Sequence, residues 1–261
     1  MAELDLILFM GQSNMHGQSD RLIGEPPVPG AWEYRFLTDT AVPLQDPVGE
    51  DIRTDGTPGY RFTEGVDLAA YLHDHALGSA CYGHSTLVPA FCRAYIARTG
   101  RRVLAVHAAR GSTAAADWQP GTPGFAALQS KAAAAYAYAV REHRPGRVFA
   151  VWLQGESDAL LGTSAQDYIS RVRTLFSALR ETVPLTQCGI IRVGRFAGDA
   201  RDDVIIDAQE RLCATDPFFT ILTREAAAMS VDPQWMNPFA AGHYNADGLQ
   251  RLGTLAADGV R

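Results

Sequence analysis

Four short segments of this chain carry the side chains that nucleophilic catalysis requires. In the first, an apolar run at residues 4–10 leads directly into Gly11-Gln12-Ser13. Open α/β sheets bind their ligands at the carboxyl ends of strands, which makes Ser13 a candidate nucleophile. A serine hydroxyl also needs a general base, a group that orients the base, and donors for the oxyanion.

The second segment contains a glycine and follows another apolar run. Residues 110–112 (RGS) come just after residues 102–107. Gly111 lets the backbone approach a ligand closely and offer its N–H. Considered alone, these residues are better explained as a plain strand-to-loop turn.

The third segment has the highest density of polar side chains. Residues 152–158 (WLQGESD) follow an apolar run and combine an amide, two carboxylates and a hydroxyl. Gln154 can donate to an oxyanion and Glu156 can orient a histidine. The alternative is that Ser157 or Asp158 only caps the next helix.

The fourth segment supplies the candidate base, His243, which lies in residues 242–245 (GHYN) just before the last predicted helix. Among the other histidines, His107 is expected at a strand end near the site. His73 and His75 are spaced like a metal pair, but no third ligand is near them in sequence. We therefore predict no metal site.

Candidate substrate contacts are one cation and several aromatic rings. We predict Arg110 and Trp118 as substrate-binding residues, and Trp32 and Tyr60 as further platforms on which a sugar ring could stack. A core position is an equally good interpretation of Trp118.

The elements that must position these residues alternate along the chain. Five apolar runs predict strands buried on both faces of a parallel sheet: 4–10, 102–107, 147–153, 188–193 and 218–222. Five segments with caps or proline stops predict helices: 85–99, 124–143, 165–182, 201–213 and 245–257. The alternation predicts a doubly wound α/β fold in one domain, residues 1–261.

Residues 17–83 do not follow this alternation of predicted strands and helices. They are rich in Gly and Pro, and we predict a long loop-rich insertion with short local structure that packs over one edge of the site. An insertion without a functional role is the alternative.

Composition limits the classes of partner. The net charge is -6 and no Lys/Arg-rich block occurs, so nucleic acid and anionic membrane are not expected as partners. No apolar run is long enough to span a bilayer, and the start lacks a basic region. We expect a cytoplasmic protein, or a secreted one if a signal segment has been removed. The oligomeric state is left open.

The chain has four cysteines without Cys-x-x-Cys spacing, so we expect reduced, mostly buried thiols. A Cys81–Cys92 disulfide is the alternative.

Taken together, the four segments resemble the motif blocks of the SGNH/GDSL hydrolase superfamily. They are most similar to its sialate O-acetylesterase-like branch, which includes acetylxylan esterases of carbohydrate esterase family six. Residues 11–15 (GQSNM) are similar to the opening block, 110–112 to the glycine block and 152–158 to the Trp-x-Gln-Gly-Glu-x-Asp block. Residues 242–245 with Gly248 are similar to the terminal histidine block. The blocks occur in the order of the family and cover almost the whole chain.

The resemblance implies a flavodoxin-like three-layer α/β/α sandwich with a mostly parallel five-stranded sheet. It implies Ser13 as nucleophile and His243 as base. It implies oxyanion donors at the Ser13 and Gly111 backbone N–H groups and the Gln154 side chain, with no metal and no cofactor. The implied activity is removal of an acyl group, most often acetyl, from a small-molecule or oligosaccharide ester through an acyl-enzyme.

One position departs from the superfamily pattern. Many members carry an aspartate three residues before the histidine, where this chain has Ala240. In some members of the branch the glutamate of the Gln-Gly-Glu block orients the histidine, which implies a Ser-His-Glu triad with Glu156. A Ser–His dyad held by a backbone carbonyl or water is the alternative, and Asp232 and Asp247 are weaker substitutes.

Three rival functions remain at this point. Residues 155–159 (GESDA) imitate the nucleophile elbow of an α/β-hydrolase, with Ser157, then Asp202 or Asp207, then His243. The second rival is a carbohydrate-binding pseudo-esterase without turnover. The third is an acyltransferase that uses the same triad.

Overall fold

One seven-stranded sheet organises the residues that the computed structural model describes, 3–49 and 85–261. Its order is β3-β2-β4-β1-β5-β6-β7. The strands are β1 (Glu3–Gly11), β2 (Ala31–Arg35), β3 (Thr40–Pro43), β4 (Arg102–Ala109), β5 (Arg144–Leu153), β6 (Gln187–Ile191) and β7 (Phe219–Thr223). All neighbouring strands are parallel except β2 and β3, which are antiparallel.

Helices cover both faces of this sheet. They are α1 (Ser13–His16), α2 (Val88–Thr99), α3 (Pro123–Glu142), α4 (Glu156–Leu161), α5 (Ala165–Thr182), α6 (Ala200–Thr215), α7 (Glu225–Met229) and α8 (Ala246–Asp258). Helices α3, α5 and α6 pack on one face, and α2 and α8 pack on the other. The predicted three-layer α/β/α architecture is confirmed.

The position of β1 at the centre of the sheet explains why its residues 6–10 are all apolar. Leu6 and Leu8 belong to the core on one face, whereas Ile7 and Phe9 belong to the core on the other. Successive strand side chains point to opposite faces, so a strand covered on both sides needs no polar alternation. The strand therefore holds the residues that follow it rigidly at the edge of the sheet.

Side-chain caps begin four of the described helices, α3, α5, α6 and α8. The Thr122 side chain accepts from the Phe125 N–H at the start of α3. The Ser164 side chain accepts from the Asp167 N–H at the start of α5. Asn245 Oδ1 accepts from the Gly248 N–H at 2.8 Å, as expected for the N-cap of α8. Such local signals explain why the predicted helices agree with the structure to within a few residues.

The predicted number of five strands is wrong, because two more lie in the segment that we predicted to be a loop-rich insertion. Strands β2 and β3 extend one edge of the sheet beyond β4. They are short and their burial is mixed, so they lack the continuous apolar run of the inner strands. Residues 50–83 of this segment lie outside the described residues, and they include Tyr60, His73, His75 and Cys81.

Three general findings apply to the described part of the chain. Cys92, Cys188 and Cys213 are free thiols there. No helix in it is long and apolar enough to cross a membrane. It contains no group of three or more His, Cys, Asp or Glu side chains arranged to hold a metal ion.

Candidate active site

Ser13 and His243 line the same cleft at the carboxyl end of the sheet, although 230 positions separate them in sequence. The cleft has a volume of about 320 Å³. Ser112 and Ser157 also line it, so residues from the ends of β1, β4 and β5 and from the C-terminal loop meet in one place. This is the convergence that the four segments predict.

Ser13 is placed by a sharp exit from β1. Gly11 has φ 145°, and a Cβ there would overlap the Leu153 carbonyl of neighbouring β5, so only glycine fits. Ser13 then begins α1 and is 4% exposed. Within the described residues its Oγ makes no hydrogen bond, which leaves the hydroxyl available to the cleft.

Gly111 lies directly beside the candidate nucleophile. A Cβ at this position would be 3.7 Å from Ser13 Cβ and 3.5 Å from Gln18 Nε2. The neighbouring Ser112 has φ 60°, which is uncommon for a residue other than glycine. Unusual backbone of this kind is often found at active sites.

His243 is held by the backbone of its own loop. Its Nδ1 lies 3.0 Å from the Ala241 carbonyl oxygen, and its N–H donates to the Ala240 carbonyl at 3.2 Å. Phe196 packs edge-to-face on the imidazole, with ring centroids 5.8 Å apart. Gly242 has φ 74°, and a Cβ there would overlap the Phe196 ring. The imidazole is therefore fixed by one carbonyl and one aromatic ring.

Burial lowers the pKa of His243 below its usual value, although the hydrogen bond to the Ala241 carbonyl acts in the opposite direction. A lowered pKa keeps the imidazole neutral, and able to accept a proton, to a lower pH than usual. We expect a midpoint below about 6.5 in an NMR titration of the His243 ring. Comparison with His243→Asn assigns the resonance, and a midpoint above 6.5 would contradict the placement.

Glu156 is buried next to α1 and makes no hydrogen bond to the His243 ring. It is 2% exposed, and its Oε1 accepts from Asn14 Nδ2 at 2.8 Å. Burial raises the pKa of the Glu156 carboxyl, and the Asn14 hydrogen bond offsets part of this. The predicted third member of the triad therefore contacts Asn14 rather than the histidine.

Gln154 is fully buried, and its amide points into the protein. Its Nε2 lies 2.6 Å from Asp158 Oδ2, 3.1 Å from the Thr113 carbonyl and 3.3 Å from Gln12 Oε1. Two amide hydrogens are thus already in use among these acceptors. The placement favours a structural role for Gln154 over the predicted oxyanion role.

We expect Gln154→Ala to lower the free energy of unfolding by roughly 1–3 kcal/mol, because Asp158 and Thr113 lose a buried donor. Urea unfolding measures this, with Gln119→Ala as the matched control, because Gln119 bridges only two backbone carbonyls. Unchanged stability with a turnover loss of about 10²-fold or more would restore the oxyanion role.

The weaker candidates for orienting the histidine are engaged elsewhere. Asp232 accepts from the Gln234 N–H at 3.1 Å, and Asp247 is paired with Arg21 at 2.7 Å.

The aspartates of the α/β-hydrolase alternative do not contact His243 either. Asp202 holds the backbone N–H groups of residues 196–198, and exposed Asp207 lies 3.6 Å from Arg211. Ser157 lines the cleft, but within the described chain it has no His–Asp pair behind it.

A second, more polar cavity of about 440 Å³ adjoins the first at Ser112. The predicted substrate contacts Arg110 and Trp118 both line it, together with Gly111. Trp118 is 1% exposed and donates to Thr113 Oγ1 at 3.1 Å, so its ring belongs to the core. Two charged residues of opposite sign, Arg110 and Asp117, line this cavity.

Trp32 lies near the amino end of β4, away from the site. It is in register with Leu104, and the Arg102 guanidinium lies 4.5 Å from its ring centre. His107 is buried in β4, where its Nε2 lies 3.2 Å from the Met15 carbonyl.

Sequence analysis missed several residues that shape the site. Leu160, Leu161 and Phe196 line the cleft, and Leu161 is 73% exposed. Asn14 contacts both Glu156 and the His243 loop. Asn14 lies within the opening motif, but nothing local shows which distant groups its amide meets.

Known proteins share sequence and fold with this chain. Residues 76–260 match a protein family described as carbohydrate esterase, sialic acid-specific acetylesterase. A search of curated proteins found no match to the chain.

Several solved structures share the fold. One is a protein from Arabidopsis thaliana, 17% identical with a TM-score of 0.62, covering 98% of this chain and 96% of its own. NanS is 13% identical with a TM-score of 0.63, covering 97% and 95%. A mutant of Axe2, an acetyl-xylooligosaccharide esterase from Geobacillus, is 9% identical with a TM-score of 0.50, covering 98% and 93%. At these identities the likeness shows the fold alone.

Proposed function

Because the chain belongs to the carbohydrate esterase family of sialic acid-specific acetylesterases, we propose that it removes acetyl groups from a carbohydrate ester, with Ser13 as nucleophile. Members of such a family are carboxylic ester hydrolases. The observation that supports the assignment is that Ser13 and His243, which lie near opposite ends of the chain, line the same cleft. No other serine of the cleft also directly follows the central strand.

The reaction proceeds in two halves. His243 Nε2 takes the proton from Ser13 Oγ, which attacks the ester carbonyl carbon and forms a tetrahedral intermediate. The carbon–oxygen bond to the sugar then breaks, and the sugar oxygen leaves with the proton from His243. In the second half, His243 takes a proton from water, whose oxygen attacks the carbonyl carbon of acetyl-Ser13. The bond from this carbon to Ser13 Oγ then breaks, His243 returns the proton to Oγ, and acetate is released.

The Ala241 carbonyl holds the imidazole in the tautomer that this scheme needs. A proton on Nδ1 is donated to that carbonyl at 3.0 Å, so Nε2 carries the lone pair that accepts from Ser13. This contact favours the dyad held by a backbone carbonyl over a triad in which Glu156 binds the ring. Glu156 then contributes through Asn14.

The oxyanion needs donors close to Ser13. The backbone N–H groups of Ser13 and Gly111 are the proposed donors, because Gly111 lies beside the serine and carries no side chain. Gln154 keeps Asp158 and the Thr113 carbonyl in place behind them. It therefore acts as a buried support for the donors.

The two adjoining cavities offer different chemistry to the substrate. Arg110 and Asp117 both line the polar cavity, which suits a hydroxyl-rich sugar that can donate and accept hydrogen bonds. The apolar side chains Leu160, Leu161 and Phe196 line the reaction cleft. We assign Arg110 as the proposed sugar contact.

The test is release of acetate from 4-nitrophenyl acetate and from an acetylated sugar. Saturable turnover of both, with free acetate as the product, supports the proposal. Acetyl groups recovered on a second sugar would indicate an acyltransferase. Sugar binding without acetate release from either ester would indicate a pseudo-esterase.

A further inference from the structure

One buried amide connects the helix of the nucleophile to the loop of the base. Asn14 directly follows Ser13 in α1 and is 2% exposed. Its Oδ1 accepts from the Tyr244 N–H at 3.1 Å, and its Nδ2 donates to the Gly242 carbonyl at 3.3 Å. Gly242 and Tyr244 are the two residues on either side of His243, so Asn14 holds the backbone both before and after the base.

The same amide has one further partner, the Glu156 carboxyl. Asn14 Nδ2 donates to Glu156 Oε1 at 2.8 Å. A primary amide has two donor hydrogens and an acceptor oxygen. With these three contacts its orientation is determined, because a flipped amide would present donors to the Tyr244 N–H and its acceptor to a carboxyl oxygen and a carbonyl.

Glu156 is itself placed by the end of β5. It begins α4, and Gln12 Oε1 receives the N–H groups of Gly155 and Ser157 at 3.3 and 3.2 Å. The residues before and after Ser13 thus both bind this helix start: Gln12 binds its backbone and Asn14 binds its carboxyl. The chain of contacts links the end of β5 to the His243 loop through α1.

We propose that Asn14 and Glu156 are positioning residues, in which Glu156 orients the Asn14 amide and Asn14 holds the backbone around His243 so that the imidazole faces Ser13. The inference rests on the proposed function, because it assumes that Ser13 and His243 react together. It departs from a triad in which the glutamate binds the imidazole directly.

The contacts of Glu156 fit this role. Its Oε1 accepts from Asn14 at 2.8 Å, and it makes no hydrogen bond to the His243 ring. Burial raises the pKa of its carboxyl, while the Asn14 hydrogen bond acts in the opposite direction. Since Glu156 reaches the histidine only through Asn14, we expect catalysis to need its hydrogen bond rather than its negative charge.

Substitutions can distinguish a Glu156 that positions Asn14 from a Glu156 that binds the imidazole directly. Misplacement of a catalytic group by about 1 Å can cost about 10²-fold in rate. We expect Asn14→Ala and Glu156→Leu each to lower kcat by roughly 10–10²-fold and to leave KM within about twofold. We expect Glu156→Gln to stay within about threefold of wild-type kcat, because its amide oxygen can still accept from Asn14.

The experiment measures kcat and KM on 4-nitrophenyl acetate, together with the labelling rate of Ser13 by a fluorophosphonate, located by mass spectrometry. Tyr95→Phe is the matched control for loss of a buried hydrogen bond. The Tyr95 hydroxyl donates to Asp5 at 2.7 Å, at the amino end of the sheet, so we expect its kcat to be unchanged. If Asn14→Ala does not fold, Asn14→Asp keeps the acceptor for Tyr244 and removes the donor to both Gly242 and Glu156.

The expected result is slow labelling and low kcat in Asn14→Ala and Glu156→Leu, no further loss when the two are combined, and rescue by Glu156→Gln. Equal damage from Glu156→Gln and Glu156→Leu would overturn the inference, because charge would then matter. Wild-type kcat in both Asn14 variants, or an equal loss in Tyr95→Phe, would also overturn it. Failure of the wild type to label at Ser13 would contradict the proposed function itself.

Discussion

Replacing Ser13 with alanine is expected to abolish ester hydrolysis while the protein stays folded. The nucleophilic oxygen is lost, and removal of a serine nucleophile in a Ser–His enzyme typically lowers kcat by about 10⁴–10⁶-fold. Folding should be preserved, because within the described residues Ser13 Oγ makes no hydrogen bond. Acetate release from 4-nitrophenyl acetate and a thermal unfolding curve measure the two quantities.

Ser157→Ala is the matched control for this experiment. Ser157 lines the same cleft, but its N–H, not its hydroxyl, contacts Gln12. We expect Ser157→Ala to keep turnover within about threefold of wild type, since its hydroxyl takes no part in the reaction. Persistent turnover in Ser13→Ala combined with its loss in Ser157→Ala would transfer the nucleophile to the position of the α/β-hydrolase alternative.

Replacing His243 with alanine is expected to lower kcat to a similar extent, by about 10⁴–10⁶-fold, because the serine hydroxyl is a weak nucleophile without a base. The substitution also leaves a gap against Phe196, whose ring packs 5.8 Å from the imidazole centre. Added imidazole should enter this gap and restore part of the turnover. The measurement is the rate of 4-nitrophenyl acetate hydrolysis against imidazole concentration.

The control for that measurement is His143→Ala, since His143 lies after α3 and packs near Tyr138, away from the cleft. Its turnover should equal that of the wild type, with the same small effect of imidazole. If His243→Ala retained turnover within tenfold of the wild type, another group would have to serve as the base.

Local sequence was sufficient to predict the framework that carries the site. The first three motifs each follow an apolar run, and parallel strands place their carboxyl ends at one edge of a sheet, so these motifs were expected at the same edge. In the structure a Cβ at position 111 would be 3.7 Å from Ser13 Cβ. The ends of helices could also be predicted from local sequence, because a cap such as Asn245 binds a backbone N–H only three residues away.

The edge strands and the directions of side chains could not be predicted from local sequence. Strands β2 and β3 are short and mixed in burial, so no continuous apolar run revealed them; β2 joins the sheet through β4, which lies more than 60 positions later. The Gln154 amide could face either the cleft or the interior. The partner that decides this, Asp158, lies one turn later on a helix whose path only the fold defines.

The sequence by itself was sufficient to predict the layered architecture and the family, because these depend on apolar runs and on the motifs beside them, and it made Ser13 and His243 the candidate nucleophile and base. Only the tertiary structure decided how the His243 ring is held. The Ala241 carbonyl contacts its Nδ1, while Glu156 meets Asn14 across 142 positions of sequence at 2.8 Å. A hydrogen bond of that kind depends on where two distant backbone segments come to rest, and no periodicity or spacing along the chain encodes that distance.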